Sequence, residues 1–297
     1  MPRFICTADW HLRATKPRCR LDEDWLSFQE NMVKYIVDKA NEYECDIKII
    51  GDIFDTPNVP SHIASMFIRQ VSKCKEGIQF IAGNHDLPFH SIESLSNSTI
   101  GIIYEAAQHH SKIYHGMTCG IWNDFGQLST KGIQKTGIVF THQLVFENKK
   151  AIPPNSEGLT PSDMLDLYPT ANWIFCGDNH TAFHYEKKGR HVLNPGSIYR
   201  GSSDQKNYRP LVYFVDTDLE QYIEELLPDN EEIVDDSYIV EQNEKEERIS
   251  AFVEKLKKNE AIELDFMKNI EKALLINKKL SKETVKMINE LCMEDSI

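Results

Sequence analysis

The segment IKIIGDIFDT, which runs from Ile47 to Thr56, indicates the fold of this chain more directly than any other. Its first four residues form a largely apolar run of strand length, and Asp52 follows on a turn. A strand that leads at once into a polar residue is how an α/β sheet builds a site at the carboxyl edge of its strands. We therefore expect a buried strand that delivers Asp52 to such an edge.

Four other polar clusters follow short runs rich in Ile, Val, Phe or Cys in the same way. They are Asp9-Trp10-His11, Gly83-Asn84-His85-Asp86, Thr141-His142-Gln143 and Gly177-Asp178-Asn179-His180. With Asp52 they supply three Asp, one Asn and three His as candidate ligands, and His85 is left over for proton transfer. Hard and borderline ligands of this kind suit two divalent cations and do not suit a zinc site built from thiolates.

A two-metal site explains why these residue types occur together. Two cations about 3.5–4 Å apart need one carboxylate between them, and they clamp both the attacking and the leaving oxygen of a phosphate. Asp52 is the natural bridge because it lies on a turn directly after an apolar run. Asp9 and His11 alternate across a strand end, so they share one face, and Asn84 offers a neutral carbonyl oxygen.

The five clusters, in this order, resemble the calcineurin-like metallophosphoesterases. More narrowly, the chain is similar to the SbcD-type nuclease subunit of the SbcCD DNA-repair complex and its phage counterparts. That narrower likeness is carried by GDIFDT at 51–56, GNHD at 83–86, THQ at 141–143 and NPGSIYR at 194–200. It covers about residues 1–216, so the rest of the chain stands outside it.

The resemblance implies a role for each matching position. Two manganese ions, or magnesium in their place, are implied, and His85 becomes the acid that protonates the leaving 3′ oxygen. The metal ligands that it implies are Asp9, His11 and His180 on one ion, Asn84, His142 and Asp178 on the other, and Asp52 shared. Asp55 and Asp86 are grouped with His85 as candidate catalytic residues that orient a neighbour, and the candidate DNA contacts are Arg13, Ser197, Tyr199 and Arg200. Those last three are expected either to contact DNA or to brace the site.

Two positions depart from the family pattern. Asp178 stands where the family usually has His, which adds a negative charge and a harder oxygen and favours manganese or magnesium. Asp178 could instead fail to reach the ion and cap the following turn. Asp55 stands where some relatives have His, and we expect it to orient a ligand or His85.

The resemblance also implies a substrate and partners. It predicts a 3′ to 5′ exonuclease on duplex DNA and an endonuclease on single strands, acting in DNA repair or recombination. It further predicts an SbcC-type coiled-coil ATPase bound through residues 249–297, and a homodimer through helices near 60–73 and 92–107 with exposed Ile100 and Ile103. The alternatives are a phosphatase or cyclic-nucleotide phosphodiesterase on the same scaffold, and a non-catalytic binding module.

Composition and charge agree with an enzyme of the cytoplasm, or of the host cytoplasm if the source is a phage. The net charge of -13 is concentrated in residues 216–248, which carry about -12, so the remainder is close to neutral. The seven cysteines are scattered and odd in number, as in a reducing compartment, and Cys6, Cys119 and Cys176 lie in apolar runs as small core residues. No apolar run reaches 18 residues, which argues against a membrane span.

The order of elements predicts an α/β fold with two mixed sheets packed face to face and helices outside, the αββα sandwich of the metallophosphoesterases. Residues 1–216 are expected to form the nuclease domain, and 217–297 a reduced cap and a small helical, partner-binding region. The predicted helices are 24–43, 60–73, 92–107 and 161–167. The predicted strands are 3–8, 47–50, 78–82, 112–122, 137–141, 173–176, 182–187, 191–194 and 211–216.

Overall fold

The computed structural model describes residues 3–108, 137–153, 158–229, 233–235 and 237. Its strands are β1 (Arg3–Thr7), β2 (Asp46–Ile50), β3 (Ile78–Ile81), β4 (Ile138–Thr141), β5 (Trp173–Cys176), β6 (Phe183–Lys187), β7 (Arg190–Asn194), β8 (Leu211–Asp216) and β9 (Gln221–Leu226). Its α-helices are α1 (Trp25–Glu42), α2 (Ser61–Val71), α3 (Thr99–Gln108) and α4 (Pro161–Leu167). In these ranges no helix is long and apolar enough to cross a bilayer.

The strands form two mixed sheets. The first has five strands in the order β3-β2-β1-β8-β9, with β1, β2 and β3 parallel and β8 and β9 antiparallel to their neighbours. The second has the order β4-β5-β7-β6, with β4, β5 and β7 parallel. The carboxyl ends of parallel strands meet at one edge of each sheet, so residues that follow these strands are brought together there.

Alternation along the strands divides the core into three layers. On β1, Phe4 and Cys6 face the second sheet, whereas Ile5 faces the helices. Phe4 makes edge contacts with Phe140 and Phe175 of the second sheet at 5.6 and 5.3 Å between ring centroids. Helices α1, α2 and α3 cover the outer face of the first sheet, and α4 covers the outer face of the second. The predicted fold class, two mixed sheets between flanking helices, is confirmed.

The predicted elements match the observed ones with two corrections. The single helix expected over 92–107 is a 3₁₀ segment, Ile92–Asn97, followed by α3. The break occurs at Ser98, whose hydroxyl accepts a hydrogen bond from the Gly101 nitrogen at 3.1 Å and so caps a new helix. Ile100 and Ile103, expected at the surface, are buried in the core, while Ile102 between them is 68% exposed.

Strand β9 extends the first sheet beyond the position where the nuclease domain was expected to end. It was not predicted as a strand, because its few apolar residues lie in an acidic stretch; it is an edge strand that presents most of its side chains to solvent. Cys6 and Cys176 are buried, as expected of core residues. The predicted strand at 112–122, with Cys119, and the helical region at 249–297 lie outside the described residues.

A buried ion network fastens the chain after β9 to two loops. The Asp229 carboxylate accepts hydrogen bonds from Arg20 Nη1 at 2.9 Å and from Arg200 Nε at 3.1 Å. Arg20 also pairs with Asp22 at 2.7 Å, and its guanidinium lies 4.3 Å from the Phe28 ring centroid. The side chain of Asp229 is fully buried, so its charge is balanced by the two guanidiniums rather than by water.

We expect Asp229→Asn to lower the free energy of unfolding by about 3–5 kcal/mol, because it leaves two buried guanidiniums without their shared counter-charge. Urea denaturation followed by circular dichroism measures the change. Asp218→Asn, in the exposed turn between β8 and β9, is the control and should change stability by less than about 0.5 kcal/mol. Equal stability of both variants would show that the network does not hold this part of the fold.

Candidate metal centre

Seven side chains with metal-ligating atoms converge at the carboxyl edges of the parallel strands. Asp9 and His11 follow β1, Asp52 follows β2, and Asn84 follows β3. From the second sheet, His142 follows β4, and Asp178 and His180 follow β5. We call these seven residues the metal-ligand cluster.

Distances within the metal-ligand cluster divide it into two halves that meet at Asp52. On one side, His11 Nε2 lies 3.1 Å from His180 Nε2 and 3.6 Å from Asp52 Oδ2. On the other, His142 Nε2 lies 3.2 Å from Asp52 Oδ2 and 3.1 Å from Asn84 Oδ1. Two groups of residues have ligating atoms that lie within 4.8 Å of one another. One group is Asp9, His11 and His180, and the other is Asp9, Asp52 and His142. All seven positions expected from the sequence are therefore brought together.

The position of Asp178 is looser than that of the other six. Its Oδ1 lies 3.9 Å from His142 Nε2, and its side chain is 31% exposed where those of Asp9 and Asp52 are fully buried. Its backbone nitrogen donates a hydrogen bond to Asp9 Oδ1 at 3.2 Å. Asp178 thus lies at the open side of the cluster, within reach of the half that holds His142.

Four residues of the metal-ligand cluster have left-handed backbone conformations. Asp9, His11, Asp52 and Asp178 have φ angles of 50°, 40°, 51° and 70°. The left-handed region is costly for residues other than glycine, so it persists only where the surroundings determine it. Here the pairing of β1 with β2 continues past the strand ends, because the Asp9 nitrogen donates to the Gly51 carbonyl and the His11 nitrogen to the Asp52 carbonyl.

Hydrogen bonds to the outer nitrogens orient two of the imidazoles. His142 donates from Nδ1 to the Ile50 carbonyl at 2.7 Å, and this leaves Nε2 to face the cluster. His85 donates from Nδ1 to the Asp55 carbonyl at 3.0 Å, and its backbone nitrogen donates to Asp52 Oδ1 at 2.9 Å. Such second bonds fix the tautomer and orientation of an imidazole that ligates a metal or transfers a proton.

Asp86 and Asp55 are positioning residues rather than groups that face the cluster opening. The Asp86 carboxylate is fully buried and accepts hydrogen bonds from the nitrogens of Ile53, Phe54 and Gly83 at 2.9–3.1 Å. It therefore joins the turns after β2 and β3 and holds them in place. Asp55 holds His85 through its carbonyl, and its Oδ1 lies 3.7 Å from His11 Nδ1.

The pKa values show that charges in this buried site depend on one another. Burial alone would lower the pKa of His142, but the Asp52 carboxylate outweighs it and raises that pKa to about 10. Burial lowers the pKa of His11 to about 3. Burial opposes ionisation of Asp52, yet the charge of His142 brings its pKa below the usual range. Burial, with the negative charge of Asp52, raises the pKa of Asp86 to about 7. One buried imidazolium thus balances the charge of Asp52.

The donor set fits two divalent cations. Asp9 Oδ2 and Asp52 Oδ2 are buried and have no hydrogen-bonding partner among the described residues. Buried carboxylate oxygens without partners are costly, and cations at this place would remove that cost. The remaining donors are imidazole nitrogens, an amide oxygen and the carboxylate of Asp178, a mixed nitrogen and oxygen set that suits divalent cations.

The four predicted DNA contacts occupy different environments. The Arg13 side chain is 33% exposed and donates to Asp55 Oδ1 at 3.0 Å, beside the cluster. Ser197, Tyr199 and Arg200 are 3%, 3% and 1% exposed. Tyr199 donates from its hydroxyl to the His11 carbonyl at 2.8 Å, so it supports a candidate ligand from behind. The NPGSIYR segment braces the site, which was one of its two expected roles.

Sequence reasoning left His90 among the surface and packing histidines, and the structure places it beside the cluster. His90 donates from Nδ1 to the Asn84 carbonyl at 2.9 Å, and its ring centroid lies 6.4 Å from that of His85. The signal available in the sequence was its spacing of only five residues from His85. His184, the other histidine near a motif, bonds instead to His191 and Tyr222 on the strands.

Comparisons with known proteins agree with this geometry. A family model described as "Calcineurin-like phosphoesterase" matches residues 2–234. A search of curated proteins found no match.

Several solved structures resemble the chain at low sequence identity. A novel archaeal phosphodiesterase is 14% identical, with 76% of this chain and 99% of that chain covered and a TM-score of 0.42. A dimetal phosphatase from Danio rerio is 11% identical, with 76% and 95% covered and a TM-score of 0.44. A predicted phosphoesterase from Streptococcus pneumoniae is 16% identical, with 76% and 93% covered and a TM-score of 0.33. The family assignment rests on the family model and not on these likenesses.

The glycines of the site generate a prediction about metal binding. A Cβ on Gly83 would overlap Asp52 Oδ1 and the Asp52 backbone nitrogen. We expect Gly83→Ala to displace Asp52 and to weaken Mn²⁺ binding by about 100-fold, measured by isothermal titration calorimetry. Gly137→Ala is the control, because the nearest atom to its Cβ would be 3.8 Å away. Unchanged Mn²⁺ affinity in folded Gly83→Ala would show that Asp52 is not a ligand.

Proposed function

The chain belongs to the calcineurin-like phosphoesterase family, and we propose that it is a two-manganese nuclease that hydrolyses DNA. Membership makes the chain a metal-dependent phosphoester hydrolase with a dimetal site. The proposal adds the metal, the polymeric substrate and the role of each residue. The observation that carries it is the position of Asp52, whose Oδ2 lies 3.6 Å from His11 Nε2 and 3.2 Å from His142 Nε2, between the two halves of the cluster.

The two halves of the metal-ligand cluster define the two proposed ion sites. Asp9, His11 and His180 would hold one manganese, and Asn84, His142 and Asp178 the other. Asp52 would be shared, because its Oδ2 lies 3.6 Å from His11 Nε2 and 3.2 Å from His142 Nε2, whereas Asp9 Oδ1 lies 4.0 Å from His142 Nε2. Asp178, the third ligand proposed for the second ion, has a side chain that is 31% exposed to solvent.

The cations, when bound, supply the charge that lowers the pKa of the attacking water and neutralises the phosphoryl oxygens. The remaining chemistry belongs to His85, which lies with His11 and Asp52 in one group of ligating atoms within 4.8 Å. Its Nδ1 is engaged with the Asp55 carbonyl, so Nε2 is the atom that can give a proton to the leaving oxygen. Asp55 and Asp86 hold His85 and the turns in place.

A polymeric substrate is supported by basic groups at the metal edge. Arg13 is partly exposed beside the cluster, and Lys149 and Lys150 are exposed in the connection after β4. Phosphate contacts of this kind give affinity independent of sequence. Other basic residues do not contribute there: Arg20 and Arg200 are buried, and Lys188 lies in the β6–β7 turn at the opposite edge of the sheet.

The biological setting follows from the sequence resemblance alone. We propose that the nuclease processes DNA ends in repair or recombination, 3′ to 5′ on duplex and internally on single strands. An SbcC-type ATPase would bind residues 249–297, which lie outside the described residues. A homodimer through α2 and α3 would use exposed side chains such as Ile68 and Ile102, which are 39% and 68% exposed, in place of Ile100 and Ile103.

Digestion of end-labelled linear duplex and single-stranded DNA tests the substrate class. In Mn²⁺ we expect shortening from 3′ ends that EDTA abolishes and that falls steeply as salt rises from 50 to 200 mM. Turnover of a small phosphodiester without cleavage of DNA would contradict the nuclease and favour a phosphodiesterase of small molecules. Inactivity on both substrates, with metal bound, would favour a binding module.

Replacement of His85 tests the proposed proton donor. We expect His85→Asn to lower kcat on DNA by about 10²–10⁴-fold but to lower kcat on bis(p-nitrophenyl) phosphate far less. The nitrophenolate leaving group needs no proton, whereas the 3′ oxygen of DNA does. The controls are an unchanged Mn²⁺ affinity and full activity of His62→Asn, an exposed histidine of α2. An equal loss on both substrates would exclude proton donation as the role of His85.

A further inference from the structure

Phe89 is an aromatic residue held in an unfavourable backbone conformation and fully displayed to solvent. Its side chain is 90% exposed, more than any other large apolar side chain in the described part of the chain. Its φ angle is 57°, and His90 after it has a φ angle of 53°. Two consecutive left-handed residues that are not glycine are rare, and they need a surrounding structure that enforces them.

Hydrogen bonds on both sides enforce the turn at Phe89. The His90 nitrogen donates to the Leu87 carbonyl at 3.1 Å, and the Ser91 nitrogen donates to the Pro88 carbonyl at 3.2 Å. The Ser94 hydroxyl donates to the same Pro88 carbonyl at 2.5 Å. Leu87, two residues before Phe89, is 1% exposed and anchors the segment in the core. The exposed ring is thus presented by an ordered turn.

The turn lies directly beside the catalytic end of the site. His90 bonds to the carbonyl of Asn84, a residue of the metal-ligand cluster, and its ring centroid is 6.4 Å from that of His85. Phe89 directly precedes His90, and the Cα atoms of the two residues are about 3.8 Å apart. Phe89 is therefore one residue from the imidazole that neighbours His85, the residue proposed to protonate the leaving group.

We propose that Phe89 stacks on the base next to the scissile phosphodiester, on the leaving-group side. This inference rests on the proposed function, because it names how a DNA strand is held at that same site. Aromatic faces bind single-stranded nucleic acid by stacking, and they do so with little dependence on sequence because every base has a π-face. The metal-ligand cluster and Arg13 bind the phosphates, and Phe89 supplies an apolar face on which a base stacks.

A partner protein is the less favoured occupant of this turn. An isolated protruding ring between the half-buried Pro88 and the exposed His90 is not a broad apolar patch. Because the turn lies beside the site at which the proposed substrate is cleaved, a base of that substrate is the favoured occupant.

The test combines variants of Phe89 with removal of single bases from the substrate. Wild type, Phe89→Ala, Phe89→Trp and the control Leu219→Ala are compared on single-stranded oligonucleotides, either intact or with one abasic residue placed at successive positions from the cleaved bond. Leu219 is 64% exposed in the turn between β8 and β9, on the far side of the antiparallel pair from the metal edge. Fluorescence anisotropy in EDTA measures DNA affinity without turnover.

We expect Phe89→Ala to raise KM for intact single-stranded DNA about 10-fold with little change in kcat, and to weaken binding in EDTA similarly. Phe89→Trp should restore both, and Leu219→Ala should match wild type. An abasic residue at one position should weaken wild type as much as Phe89→Ala does, and should add nothing in that variant.

Three results would overturn the inference. Unchanged KM and affinity in Phe89→Ala, with wild type cleaving DNA, would refute the stacking role alone. Additive effects of Phe89→Ala and of every abasic position, or a change in oligomeric state on sedimentation in that variant, would assign Phe89 to a protein contact. Absence of DNA cleavage by wild type would refute the proposed function itself, and this inference with it.

Discussion

The buried carboxylate of Asp52 is the constraint around which the rest of the site is arranged. It has no exposure to water, it lies between two imidazoles, and one of its oxygens has no hydrogen-bonding partner in the described part of the chain. A buried carboxylate in such a place needs compensating positive charge. Two bound cations would supply that charge, and protonated His142 supplies it when no cation is bound. The residues around Asp52 leave the space that this arrangement needs.

That space comes from glycines and from left-handed backbone conformations together. A Cβ at Gly51 would overlap the side chain of His142, and a Cβ at Gly83 would overlap Asp52. Both turns therefore need a residue without a side chain where they approach the site. Left-handed residues at the cluster cost about 1–3 kcal/mol each. Bonds that continue the β1–β2 pairing and the three backbone hydrogen bonds to Asp86 offset that cost. Asp86 thus holds the two turns together, and this explains why it lies so near to the metal-ligand cluster without facing its opening.

Sequence pattern predicted the parts of this structure that depend on local order. Apolar runs that end in polar residues place ligands at strand ends, and this located the two sheets and all seven members of the cluster. The pattern could not show which polar residues after β7 point inward, so Arg200 and Tyr199 remained open between DNA contact and bracing. It also missed β9, because the few apolar residues of this edge strand lie within an acidic stretch. The turn at Phe89 was missed since its φ angle comes from hydrogen bonds to Leu87 and Pro88.

The bracing role of the NPGSIYR segment changes where substrate recognition must be sought. Tyr199 bonds to the backbone of His11, and Arg200 shares Asp229 with Arg20, so the segment joins the chain after β9 to a metal-ligating residue. The donor groups of Tyr199 and Arg200 are used in these contacts and are not available to bind a phosphate. For the proposed DNA substrate, recognition would fall to groups that the fold leaves exposed at the metal edge, namely Arg13, the lysines after β4 and the ring of Phe89. These differ in kind, since the first two carry positive charge and the third offers an aromatic face. A substrate that offers both phosphates and bases in sequence along one strand satisfies all of them, whereas a phosphomonoester satisfies only the metal centre.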